Sequence, residues 1–285
     1  MSAPSTAFVK MYQDTITLLA QQTTARLRPA VMVDTNWVGE EKYYDQYASD
    51  SMTEITSRLQ DTPVDSPDHR RRRVTPRYFV SNTIEDPNEA LAMLADPKSA
   101  YMQAKAAAAA RKIDAIIIDA LGGTAYTGKT GSTSVTLAAA QKTSVGGGLV
   151  LVKITEAKQI LDSAEADKED RYIVHSSIQM EDMMNNTTIT SADYNTVKAL
   201  AIGDINTFCG FKFIQSEQLS TDSSSRRLCY AWQKKGVQLA IQKEAEGRLT
   251  ERPDKNYGWQ VYMRIALGAT RLDEELVAQI ACAES

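Results

Sequence analysis

Two histidines, three cysteines and no apolar run of about 18 residues leave this 285-residue chain little for metal, disulfide or membrane chemistry. His69 and His175 have no second histidine or cysteine at ligand spacing, so no metal site is expected. Cys209, Cys229 and Cys282 are odd in number and scattered, which reads as reduced, buried thiols of a chain folded in cytosol. The start, "MSAPSTAFVKMYQDTITLLAQQ", lacks the basic opening and uninterrupted apolar stretch of a signal peptide. Charge surplus is missing too: 32 Lys and Arg against 36 Asp and Glu give −4, with no bulk attraction for nucleic acid or anionic membrane. There is no Gly-x-Ser-x-Gly elbow, and the acidic pairs Glu181–Asp182 and Glu274–Glu275 fall at expected surface positions. No catalytic residue, cofactor or metal ligand is expected.

What is present is core material and helix punctuation. Apolar residues make up 43%, enough for one large domain or two modest ones. Residues 5–28 carry apolar side chains at helical spacing, and Pro29 ends that run. From 36 to about 85, "EEKYYDQYA", "MTEITSRLQ" and "RRVTPRYFVSN" alternate as half-buried strands, with "DTPVDSPDHRRRR" as a loop. Asp86–Pro87 and Asp96–Pro97 are two helix starts. The second opens an unbroken helix from Pro97 to Leu121, about 37 Å long at ~1.5 Å per residue. Its face is Met102, Ala106, Ala109, Ile113, Ile116, Ile117 and Ala120, with Gln103, Arg111 and Asp114 well away. Gly122 and Gly123 stop it.

Further on, "ITEAKQILDSA", "SIQMEDMMNN" and "TSADYNTVKALAIG" read as helices, the last two opened by Ser176/Gln179 and Thr190/Asp193. "RYIVHSS", "CGFKFIQSE", "RLCYAWQ" and "VQLAIQK" read as strands, and the tail as two long strands broken near Gly268.

Two motifs invite chemistry. Gly123 to Thr130 spells Gly-x-x-x-x-Gly-Lys-Thr, the phosphate loop of an ATPase or GTPase. That grip needs a strand before the loop and a helix opening at Lys129–Thr130. Here a long helix precedes the motif and "GSTSVTL" comes after it, so a glycine-rich turn is the better reading; a P-loop NTPase is the alternative. The run Arg70, Arg71, Arg72, Arg73 could bind nucleic acid. With Asp61, Asp65 and Asp68 just upstream it is zwitterionic, which suits carboxylates on a neighbouring protein chain better.

The order of elements, together with "LAQQTTARLRPAV", "GEEKYYDQYA", "SRLQDTPVD", "ARKIDAIIIDALGGTAYTGKTG", "DRYIVHSS" and "GFKFIQSEQL", resembles the major capsid protein of tailed bacteriophages, a fold shared with the herpesvirus capsid floor. The resemblance implies an α+β fold with an N-terminal arm (1–39), an extended loop (40–85), a peripheral domain (86–152 and 236–285) around the long helix as spine, and an axial domain (153–235). It implies an icosahedral head built from hexamers and pentamers of this chain, enclosing double-stranded DNA without sequence-specific binding or catalysis. Arg70, Arg71, Arg72, Arg73, Asp65 and Asp68 would touch a neighbouring subunit, near the tip of the loop. A portal is an implied partner, and a decoration protein a further one the family admits. The implied place is the virion, and the host cytoplasm during assembly. Some family members crosslink a loop lysine to a peripheral-domain asparagine; no lysine occurs between Lys42 and Lys98, so no crosslink is expected. A first strand by about residue 40 leaves no room for a cleaved scaffolding segment, so a separate scaffolding protein is expected.

Overall fold

A computed structural model describes residues 21–48, 50, 52–61, 64, 68–85, 98–144, 146–185 and 207–284. Among them, in chain order, are strands β1 (Met32–Asp34), β2 (Lys42–Tyr47), β3 (His69–Val74) and β4 (Arg77–Glu85), then helix α1 (Lys98–Gly122). Next come β5 (Ala125–Thr127), β6 (Thr133–Val135), α2 (Leu151–Ser163), β7 (Arg171–His175) and α3 (Ser177–Asn185). The chain closes with β8 (Thr207–Phe208), β9 (Phe211–Gln215), β10 (Arg226–Gln233), β11 (Val237–Arg252), β12 (Gly258–Arg271) and β13 (Val277–Ala283). The helix starts at Asp86 and Asp96, the helix over 190–203 and most of the helix over 5–28 lie outside the described residues.

The chain divides into two compact units, one of 1–25, 78–112 and 243–266, the other of 26–77, 113–242 and 267–285. The larger is built on the sheet β13-β10-β7-β9-β8, in which β7 and β9 are parallel and the other neighbours antiparallel. Its apolar side chains Ile173, Val174, Phe211, Tyr230, Trp232, Ala278 and Ile280 are all buried. At this sheet the alternation seen in sequence gives way to near-continuous burial along β7 and β10, the mark of a strand covered on both faces. The Trp232 indole donates to Ala30 O at 2.9 Å, so the one polar atom of that large side chain is satisfied. The expected cap of α3 forms: Ser176 N donates to Gln179 Oε1 at 2.9 Å.

In the smaller unit, the first turns of α1 meet β4. Lys105 Nζ donates to Ser81 Oγ and Thr83 Oγ1, and Lys112 stands over the Phe79 ring. β11 and β12 each contribute residues to both units.

Four expectations change. Residues 21–27 are not helical; the amides of Arg26 and Leu27 donate instead to Asp114 of α1, at 2.9 and 3.0 Å, and a single 3-10 turn forms at Arg28–Ala30. Asp114 is therefore fully buried rather than outward, while Ala106 is exposed. "MTEITSRLQ" forms no strand: residues 52–60 have no partner strand and are exposed throughout. Gly268 does not break β12, which runs on to Arg271; the break is at 272–276. Glycine serves there because a Cβ would stand 2.5 Å from Thr75 O.

Candidate assembly interface

The four arginines lie in a strand, not in the loop before it. β3 pairs antiparallel with β2, setting Asp45 opposite Arg71, Tyr44 opposite Arg72 and Tyr43 opposite Arg73, and β5 joins its other edge. The period of two sends neighbouring arginines to opposite faces. Arg72 is 3% exposed, donates from Nε to Leu272 O at 3.0 Å and forms an ion pair with Glu274. Arg73 pairs with Glu41 at 3.1 Å and stacks over Tyr126. Both are engaged within the chain.

Arg70 and Arg71 are different. Arg71 bonds Asp45 at 2.6 Å in the open, and that carboxylate raises its pKa. Arg70 is exposed and has no ion pair among the described residues. Asp68, next to the strand, is exposed, and its carbonyl accepts from Ala48 N at 2.9 Å; Asp65 lies outside the described residues. Arg70 and Arg71 line a cleft of about 520 Å³ together with His69, Asp45, Gly128 and Lys129. The arginine run and the phosphate-loop pattern, far apart in sequence, thus meet at one surface.

That second motif has no phosphate-binding geometry. α1 ends at Gly122, Gly123 N still donates to Asp119 O at 2.8 Å, and the chain turns through the hairpin β5–β6. Gly128 and Gly131, at φ +95° and +61°, make the hairpin turn, where a Cβ on Gly131 would also strike Arg73. Lys129 and Thr130 lead into the strand β6 rather than into a helix, so no helix opens at the motif. The glycines come from a helix stop and the tight turn after it.

The end of α1 is held by a residue to which no sequence signal points. Arg271, wholly buried, donates from Nη1 to the carbonyls of Ala120, Leu121 and Gly123, the acceptors a helix end leaves open. Burial lowers its pKa, and Glu274, shared with Arg72, opposes that shift. His175 is buried and its ring Nδ1 bonds Ser176 O at 2.8 Å; burial depresses its pKa, as fits a structural imidazole. Among the described residues no group of three or more His, Cys, Asp or Glu is placed to hold a metal. Cys229 and Cys282 are buried and Cys209 half-buried, and none of the three is in a disulfide.

Met52, Ile55, Leu59 and Val64, between β2 and β3, are exposed, Leu59 at 93%. Other large apolar side chains are exposed elsewhere, among them Val38, Tyr78, Val80 and Tyr257.

No curated protein sequence matches the chain. Among solved structures, one of Mycobacterium phage Che8 is 13% identical, with a TM-score of 0.75 over 98% of both chains. The Cyanophage Pam1 capsid asymmetric unit is 14% identical, with a TM-score of 0.76 over 100% of this chain and 99% of that one. The head structure of Helicobacter pylori bacteriophage KHP40 is 9% identical, with a TM-score of 0.74 over 99% and 98%. Such distant likeness establishes the fold; the family rests on the sequence model for phage capsid protein, which matches residues 5–284. The chain belongs to the phage capsid protein family, and is a major capsid protein that forms the phage head.

Proposed function

We propose that the chain assembles as hexamers and pentamers into an icosahedral head around the double-stranded DNA of a tailed phage, without catalysis of its own. The observation that carries this reading is the exposure of Met52, Ile55, Leu59 and Val64, which no described part of their own chain covers. Extended segments of this kind are stable only where a neighbour buries them, and many modest contacts then sum over a shell. In this reading residues 1–39 are an arm, 40–85 the loop that crosses a neighbour, 86–152 and 236–285 the peripheral domain, and 153–235 the axial domain around the symmetry axes. Arg70, Arg71 and Asp68 supply the polar part of the contact, because all three reach solvent, Arg71 even while paired with Asp45, whereas Arg72 is buried and Arg73 is paired and less exposed. A separate scaffolding protein and a portal complete the assembly, which takes place in host cytoplasm. The net acidic chain suits a wall that must not hold its DNA by charge.

Negative-stain electron microscopy of the protein, expressed with and without its scaffolding partner, tests the proposal. Closed shells, or rings of five and six subunits, are expected. A uniform monomer in both preparations would refute it.

A further inference from the structure

Two thiols meet in the main sheet of the larger unit. In the antiparallel pair β10–β13, Cys229 stands opposite Ile280 and Cys282 opposite Arg227. The period of two puts Arg227 and Cys229 on one face of β10, so Cys282 shares that face with Cys229, one diagonal step away. Both are fully buried, and neither is in a disulfide. The Cys229 thiol donates to Cys282, which raises the pKa of Cys229, and burial adds to the rise. The same bond lowers the pKa of Cys282 against its burial, and the Lys153 ammonium lowers it further. Lys153, itself 2% exposed, is held beside β13 by the carbonyls of Gly147 and Ala281, at 2.9 and 2.7 Å.

The two cysteines differ in reach. β10 is an interior strand between β13 and β7, whereas β13 is an edge strand, and Cys282 is the last residue but one of it. Near Cys282 that strand end is tied by Ala283 N to Gly147 O at 2.9 Å and by the ion pair of Arg227 with Glu284 at 2.6 Å. The end of an edge strand opens at far lower cost than the sheet it belongs to. Such opening uncovers Cys282 and leaves Cys229 between its neighbours. It also supplies the adjustment that a disulfide needs, because diagonal partners stand roughly 7–8 Å apart and the bridge brings its Cα atoms to within about 7 Å.

We infer that Cys229 and Cys282 are a modification site: a hydroperoxide oxidises Cys282, and Cys229 then closes a disulfide that ties the last strand to the interior of the sheet. In the first step the Cys282 thiolate attacks one peroxide oxygen and the O–O bond breaks. The sulfur becomes a sulfenic acid, and the leaving oxygen takes up the proton that the thiol gave. In the second step the Cys229 sulfur displaces the sulfenic hydroxyl, an S–S bond forms, and water leaves with the Cys229 proton. The two sulfurs lose two electrons, and one hydrogen peroxide becomes two waters. A reducing cytosol holds the pair as thiols while the chain folds, and an oxidising exterior closes it afterwards.

The experiment takes the folded, unassembled full chain carrying Cys209→Ser, so that only this pair is counted. It is exposed to hydrogen peroxide, then denatured, labelled with a maleimide and weighed intact. Both thiols are expected to disappear together, with the mass lower by two hydrogens and no larger species on a non-reducing gel. The oxidised subunit melts roughly 5–10 °C higher, and dithiothreitol reverses the shift. With Cys229→Ser added, a cyclic dione traps a sulfenic acid on Cys282; with Cys282→Ser instead, Cys229 keeps its thiol over the same time. Thiols that survive an exposure sufficient to oxidise free glutathione completely overturn the inference, and so does oxidation seen only after urea has unfolded the chain. A lower melting temperature on oxidation overturns the tie, and a sulfenic acid found on Cys229 overturns the order of attack. Thiol count and mass need neither added serine, so a serine variant that fails to fold leaves them decisive.

Discussion

The sheet β13-β10-β7-β9-β8 and the segment 52–64 use apolar residues in opposite ways. In the sheet, Trp232, Ile173 and Ile280 are sealed in the chain's own core. In the segment, Met52, Ile55 and Leu59 stand in water with no strand beside them. The first region is closed within one chain; under the proposed assembly the second is covered only by another. If so, mutations should divide into those that unfold the subunit and those that spare it but stop the head from forming.

Breaking the closed side gives the largest effect. Arg271→Ala strips the end of α1 of its donor and leaves Glu274 with Arg72 as its one cationic partner among the described residues. A loss of about 3–5 kcal/mol is expected, read from the urea midpoint of the unassembled subunit. A smaller, pH-dependent effect belongs to the β11–β12 hairpin. Arg264, then Arg248, hold the Glu246 carboxylate at about 2 against an ordinary 4.5. That contribution is complete above about pH 4.5 and fades as pH falls toward 2, because the unfolded chain takes up the proton first. The melting-temperature gap between wild type and Glu246→Gln should therefore narrow between about pH 6 and about pH 3. Smallest of all is Lys129→Ala: calorimetric titration with ATP or GTP should be flat before and after the change, since no helix opens at the motif to meet a phosphate.

Much of this is legible in sequence. The 3.6-residue period and the Gly122–Gly123 stop set α1 to within a residue among those described, and Ser176 with Gln179 marks the start of α3. Alternation identifies β2, β7, β9 and β10. It misleads at "MTEITSRLQ", because alternation shows a strand-like surface but cannot supply the partner strand. Asp114 reads as outward because a carboxylate is seldom buried; its partners are the backbone amides of Arg26 and Leu27, which leave no side-chain signal. Arg271 escapes notice for the same reason, since it binds carbonyls. In the arginine run, sequence cannot divide Arg70 and Arg71 from Arg72 and Arg73, because the division comes from β3 pairing with β2 and from Glu41 and Glu274 far away in the chain.

The most direct test of the division between folding and assembly is one double variant, Met52→Ser with Leu59→Ser, studied by thermal melting and by electron microscopy of the same preparation. Melting within about 0.5 kcal/mol of wild type, as for exposed positions generally, with closed shells lost, is the predicted result. Shells that form as readily as in wild type would contradict it, and so would a subunit that no longer folds.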